Sequence, residues 1–222
     1  MDCLDENVKK LKLRLDAAAN GRNYTILAAS KTRDAAQINR LPEFGIFDYG
    51  ENRVQEWLAK KDEIDTILKY HHIGRLQKNK IKHIIGEVYL IHSVDQIELA
   101  AEISKKATEL GRVISVLLQV NTAGEAQKGG ASPQELPALV EGCAGLPGIR
   151  LKGLMCMAPW SDQEAPVRTA FAKARVLFED LRRQSGEIEV LSMGMSQDAP
   201  IALMEGANLV RIGTALFGQR EI

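Results

Sequence analysis

What most constrains the fold of this chain is an alternation of periods. Short apolar runs of strand length recur at residues 24–30, 46–49, 70–73, 88–92, 113–120, 150–154, 189–191 and 208–212. Between them lie segments of helical spacing, at 35–41, 53–68, 78–85, 95–110, 132 onward, 161–185 and 198–205. Their boundaries carry matching signals: Pro42 closes the first, Asp95 and Gly111 bracket the fourth, and Ser132-Pro133 reads as N-cap and first helical residue. Repeated β-α alternation implies a parallel sheet. Eight units in 222 residues suit an α/β fold, a (β/α)8 barrel of the TIM type, for which about 250 residues is typical. An open doubly wound sheet is the competing arrangement. Residues 4–19, with Leu11, Leu13 and Leu15 among charges, form an extra N-terminal helix that can fill the gap left by a missing full-length helix after the eighth strand. No linker or repeat divides the chain, so residues 1–222 are expected to form a single domain.

Lysine plus arginine equals aspartate plus glutamate at 29 each, so the formal net charge is zero. That balance argues against a surface gripping a nucleic-acid backbone. The basic run Arg75, Lys78, Lys80 and Lys82 lacks interleaved aromatics and reads as a solvated face. Cys3, Cys143 and Cys156 are odd in number and far apart, which suits a reducing compartment. No apolar run approaches the roughly 20 residues of a membrane span, and the start is acidic with no secretory signal. A cytoplasmic protein that contacts neither membrane nor nucleic acid is expected. The histidines, His71, His72, His83 and His92, make no pair at ligand spacing with a cysteine or carboxylate, so no metal site is expected. His72 ends strand three and reads either as a group lining the pocket or, the commoner case, as a satisfied core histidine.

Ligand groups in such a barrel come from the C-terminal ends of the strands, often with a phosphate site after strands seven and eight. Lys31 follows strand one, where partial desolvation would favour the neutral amine that attacks an aldehyde; taken alone, a lysine snorkelling outward explains it as well. Asn52 follows strand two and reads equally as a pocket group or a helix cap. Ser192, Gly194 and Ser196 follow strand seven ahead of a helix N-terminus, a combination that cradles phosphate but, taken alone, reads equally as an ordinary turn with Ser196 as helix cap. Gly213 and Thr214 add a second donor set after strand eight. Arg211 lies two residues earlier on that strand, so it shares the inward face and requires a partner.

A lysine on strand one, an arginine on strand eight and phosphate donors after strands seven and eight are the parts of a pyridoxal phosphate site. At LAASKT, FDYGENRVQE, HHIGRLQKNK, KGLMCMAP, LSMGMS and ANLVRIGTALFG, spread over residues 27–218, the chain resembles the pyridoxal phosphate homeostasis protein family. The resemblance implies a barrel like the N-terminal domain of alanine racemases. It implies Lys31 as the Schiff-base lysine, Arg211 at the pyridine nitrogen, and Ser196, Gly213 and Thr214 at the phosphate. Asn52 and Ser192 match family positions that line the pocket.

Cofactor binding does not by itself make an enzyme. An arginine beside the pyridine nitrogen disfavours its protonation and weakens the ring as an electron sink. Racemization also requires a second base, which alanine racemases take from a separate C-terminal domain. Only ten residues follow Ile212 here, and Tyr24, Tyr49, Tyr70 and Tyr89 all fall in predicted strands. The expectation is a monomeric carrier of pyridoxal 5'-phosphate that supports its homeostasis, with no catalytic residue and with apo-enzymes as recipients. A pyridoxal-dependent amino acid racemase is the main alternative; a Schiff-base aldolase would leave Arg211 unexplained.

Overall fold

The computed structural model describes residues 3–125 and 129–219. Its strands are β1 (Thr25–Ala29), β2 (Asp48–Glu51), β3 (Lys69–His72), β4 (Leu90–Val94), β5 (Ile114–Val120), β6 (Ile149–Cys156), β7 (Val190–Ser192) and β8 (Leu209–Ile212). Each pairs in parallel with its neighbour in sequence, and β8 returns to β1 with Thr25 opposite Leu209 and Ala28 opposite Ile212. That last pairing closes the barrel and rules out the open sheet. Strand side chains alternate between faces. Ile26 and Ala28 therefore join the outer core under the helices, while Leu27 turns inward. Inside the barrel, Leu90, Leu117 and Met155 form a separate apolar cluster.

Around the barrel run α1 (Cys3–Ala19), α2 (Ala35–Asn39), α3 (Val54–Leu58), α4 (Ile81–Ile84), α5 (Ile97–Glu109), α6 (Leu136–Ala144), α7 (Glu164–Gln184), α8 (Ala199–Met204) and α9 (Thr214–Phe217). The helix after β8 is four residues long, and α1 packs against both α8 and α9. The N-terminal helix thus covers the gap. Its buried stripe is Leu4, Val8, Leu11 and Leu15; Leu13 is 74% exposed. The 3.6-residue period allows Leu11 and Leu15 on one face but carries Leu13 to the other.

Other boundaries also differ from expectation. The helix expected over 53–68 is only α3, followed by a 3-10 turn at Lys61–Glu63. Asp95 does not cap α5, because its carboxylate accepts from the Gly130 N–H at 3.2 Å across the barrel rim. Ser132 and Glu135 form a reciprocal capping box, with Glu135 Oε2 accepting from the Ser132 N–H and Oγ–H at 2.8 Å each. The box shapes a turn, so α6 begins at Leu136 and Pro137, not Pro133, occupies its first turn. A shift of register between β5 and β6 lets β6 approach β7 closely: at Gly153, φ +150°, a Cβ would fall 1.9 Å from the Val190 carbonyl oxygen.

The α1 stripe allows a direct check. Leu15→Ala should cost about 2–5 kcal/mol of stability, whereas Leu13→Ala should stay within about 0.5 kcal/mol of wild type. Urea unfolding of the two variants distinguishes the buried from the exposed leucine.

Candidate functional site

The C-terminal end of β1 leads into a tight reverse turn over residues 30–33, closed by the Arg33 N–H donating to the Ser30 carbonyl at 2.9 Å. Lys31 is its second residue and Thr32 its third, at φ +67°. A β-branched residue rarely adopts that backbone, so surrounding structure must hold it. Lys60 does so, donating to the Ser30 carbonyl at 3.1 Å and the Arg33 carbonyl at 2.7 Å. The same ammonium pairs with Glu51 at 2.7 Å, and Glu51 Oε1 accepts from the Ser30 hydroxyl at 2.5 Å. Glu51 is fully buried, and burial raises its pKa against the opposing pull of Lys60 and Ser30. Lys31 itself is half-buried, and among the described residues no ion pair or hydrogen bond engages its ammonium. Lys60 and Glu51 brace this turn, a role that the sequence pattern did not mark. Nothing local in the sequence links residue 60 to residue 31.

Arg211, 5% exposed, projects from β8 into the barrel. It has no carboxylate partner within ion-pair distance among the described residues. Its NH1 donates to Ser192 Oγ at 2.7 Å and to the Ser192 carbonyl at 2.9 Å, and its NH2 donates to the Cys156 carbonyl at 2.9 Å. Three of the five guanidinium N–H groups are used, leaving two. Ser192 is fully buried and committed to this arginine, so it stands apart from the turn that carries Ser196.

Ser196 Oγ accepts from the backbone N–H groups of Gly213 and Ala215, at 3.3 and 3.2 Å. Two amides after β8 therefore converge on a hydroxyl oxygen after β7, a donor pattern that also suits an anionic oxygen. Thr214 is exposed beside them. Pairing of β1 with β8 sets Leu27 opposite Arg211 and Ala28 opposite Ile212. Lys31, Arg211 and the Ser196–Gly213–Thr214 group thus share adjacent strand ends.

Asn52 is placed differently. It lines a lateral cleft with Arg53, Arg75, Gln77 and Lys80, and none of the other six predicted site residues lines it. Gly74 makes that approach possible, since a Cβ there would lie 2.2 Å from the Asn52 carbonyl oxygen. A larger groove opens at the opposite end of the barrel, lined by Val113, Cys143, Ile149, Leu181 and Ile188. Its charged residues, Arg150 and Glu187, face each other at 3.5 Å, and burial pushes the Cys143 thiol up to about 11, so it holds no reactive group.

Burial favours the neutral form of three histidines, His71 and His92 inside the barrel and His72 on the outer face of β3 beside Tyr70. His72 is lowered to about 4, His71 is lowered and His92 well below its usual value, desolvation being the largest cause in each. His72 Nδ1 lies 3.1 Å from the Tyr70 hydroxyl, but its Nε2 has no hydrogen-bond partner among the described residues, so it is only half the satisfied core histidine expected.

The model of the "Alanine racemase, N-terminal domain" family matches residues 1–221. A curated relative from Aquifex aeolicus, named "Pyridoxal phosphate homeostasis protein", is 42% identical over 98% of this chain and 97% of its own length. The chain belongs to the pyridoxal phosphate homeostasis protein family. Two solved structures resemble this family member throughout. A protein from Bifidobacterium adolescentis described as unknown superposes with a TM-score of 0.92 at 32% identity, covering 98% of this chain and 97% of that one. PipY of Synechococcus elongatus, solved with PLP bound, gives 0.82 at 35% identity, covering 94% of this chain and all of that one.

Two outcomes follow from the electrostatics. Lys60→Met leaves the Glu51 carboxylate buried without its partner and should cost about 3–5 kcal/mol, with much of the loss restored in Lys60→Met/Glu51→Gln; denaturant titration checks both. A histidine whose folded pKa is depressed binds fewer protons than its unfolded counterpart between the folded value and about 6.5. Stability is therefore full above that window and falls as pH drops through it. His72→Leu should flatten the fall in urea midpoint between pH 7 and pH 4.

Proposed function

We propose that this family member binds pyridoxal 5'-phosphate reversibly at the C-terminal mouth of its barrel and serves cofactor homeostasis as a carrier to apo-enzymes, acting over residues 1–222 as one binding domain. One observation carries the reading: two adjacent strand ends supply an unpaired lysine, a buried arginine with donors to spare, and amides converging on a single oxygen. These match, end to end, an aldehyde, a ring nitrogen and a phosphate. The likeness to relatives named for pyridoxal phosphate homeostasis, and to a neighbour solved with PLP bound, supports it.

The donor chemistry fits the group. Lys31 would hold the aldehyde end, Arg211 the ring nitrogen, and Ser196, Gly213 and Thr214 the phosphate. Ser192 would act through Arg211, while Asn52 lines the separate lateral cleft. When bound, pyridoxal phosphate supplies an aldehyde that takes up a primary amine and a ring that withdraws electrons best when its nitrogen is protonated. The turn of residues 30–33 keeps the Lys31 amine at the mouth. Arg211 is a permanent donor and cannot take a proton from the ring nitrogen; its charge also opposes protonation there.

That arrangement favours holding the cofactor over carbanion chemistry, and the tyrosines point the same way. Tyr49 and Tyr70 face the outer core around Trp57, while Tyr24 and Tyr89 precede β1 and β4 at the opposite end of the strands. Buried free thiols at Cys143 and Cys156, and the lack of any described helix long and apolar enough to cross a membrane, support a reducing cytoplasmic setting.

Adding pyridoxal phosphate to the purified protein should produce a visible absorbance band, and Lys31→Ala should abolish it. Ser196→Ala should weaken binding about tenfold, the effect of one charge-assisted hydrogen bond. In deuterated buffer, α-proton exchange of amino acids should stay at trace level; turnover at about 1–1000 s⁻¹ would establish the racemase instead.

A further inference from the structure

Behind Arg211 lies a line of buried polar groups that crosses the barrel interior. Ser192 Oγ, which accepts from Arg211 NH1 at 2.7 Å, lies 3.1 Å from His92 Nδ1. His92 Nε2 lies 2.9 Å from His71 Nδ1, and His71 Nε2 lies 2.9 Å from Asp48 Oδ1. The line joins β8, β7, β4, β3 and β2, and runs from the C-terminal ends of the strands to the start of β2. Ser192, His92 and His71 are 0%, 0% and 1% exposed, and Asp48 is partly exposed at the far end.

Donor and acceptor counting fixes every proton on this line. A guanidinium only donates and an ionised carboxylate only accepts. Asp48 requires a proton on His71 Nε2, so a neutral His71 has a bare Nδ1. His92 must then donate from Nε2 and carry a bare Nδ1, which in turn accepts the Ser192 hydroxyl. That leaves the Ser192 oxygen lone pairs turned to Arg211. The assignment closes from both ends only if both imidazoles are neutral, in agreement with the effect of burial on each. Around His71 stand Lys69 and the ring of Tyr89, 5.3 Å away; around His92 stand His71, His72 and Arg211. Among the described residues, Asp48 is the only carboxylate joined to the line.

We propose that Asp48, His71 and His92 are positioning residues for Arg211: they relay the Asp48 charge through four aligned hydrogen bonds and hold the guanidinium toward the pyridine nitrogen of the cofactor. The inference deepens the cofactor reading and rests on it for the identity of what Arg211 meets. Physically, the relay answers the problem of a buried cation with no carboxylate beside it. Aligned dipoles place negative potential at Ser192 Oγ, and the serine is prevented from rotating its hydrogen toward the arginine.

Protein labelled with 15N-histidine, ligand-free at pH 7, tests the relay without cofactor. His71 and His92 should both be neutral Nε2–H tautomers, and a cationic ring or an Nδ1–H tautomer at either overturns the proposal. Pyridoxal phosphate is then added to wild type, Asp48→Asn, His92→Gln and the off-line control His72→Leu. In the first two variants the visible band should remain, since Lys31 is intact. Its wavelength or intensity should change, and affinity should fall about tenfold, the order that losing an outer hydrogen-bonding partner costs a site. His72→Leu should bind with the wild-type spectrum. Spectra and affinities of Asp48→Asn and His92→Gln equal to those of His72→Leu overturn the relay. If wild type binds no pyridoxal phosphate, the cofactor reading fails, while the tautomers still decide whether the relay exists.

Discussion

Closure of the sheet between β8 and β1 is the constraint on which the rest depends. Once Leu27 is held opposite Arg211, the two-residue period of the strands commits every alternate side chain to an enclosed interior. An arginine in that interior cannot reach water, so its N–H groups must be met from inside. Ser192 and the Cys156 carbonyl meet them on neighbouring strands. The same closure brings the turn after β1 beside the amides after β8. Neither half of the site exists without it.

The interior is divided between two ways of filling a barrel. Leu90, Leu117 and Met155 occupy part of it by apolar packing. The line from Asp48 through His71, His92 and Ser192 to Arg211 occupies another part with polar groups that satisfy one another. A partly satisfied line would be worse than an apolar core, because each unpaired group would keep its desolvation cost. The outer shell repeats the logic behind Lys31, where Lys60 meets Glu51 and two carbonyls of one strained turn. Both devices set hydrogen-bonded polar groups behind a group at the mouth, one on each side of the β1–β8 seam.

Much of the architecture could be read in advance because short apolar runs and caps are local signals. All eight strands fall within two residues of their expected starts, and the N-terminal helix covers the short final helix as expected. The errors share a cause. Leu13 stands in sequence between Leu11 and Leu15, and only helical period separates them, carrying it to solvent. Asp95 looks like a cap until Gly130, 35 residues away, takes its carboxylate. The helix expected over 53–68 stops at Leu58, and Lys60 just beyond it reaches Glu51 and the turn of residues 30–33, a contact no local pattern announces.

For the site, the chain order alone marks Lys31, Arg211, Ser196, Gly213 and Thr214 as residues following or ending particular strands, since side-chain type and position along a strand are one-dimensional facts. Tertiary structure decided what those residues touch. It separated Ser192 from the turn of Ser196 and gave it to Arg211, and it set Asn52 in a lateral cleft with Arg53 and Arg75. It also joined Asp48 to Arg211 across 163 positions of sequence through two histidines that had looked unremarkable. Hydrogen bonds act over about 3 Å in space, and no pattern along the chain encodes which distant residues a closed barrel will bring within that reach.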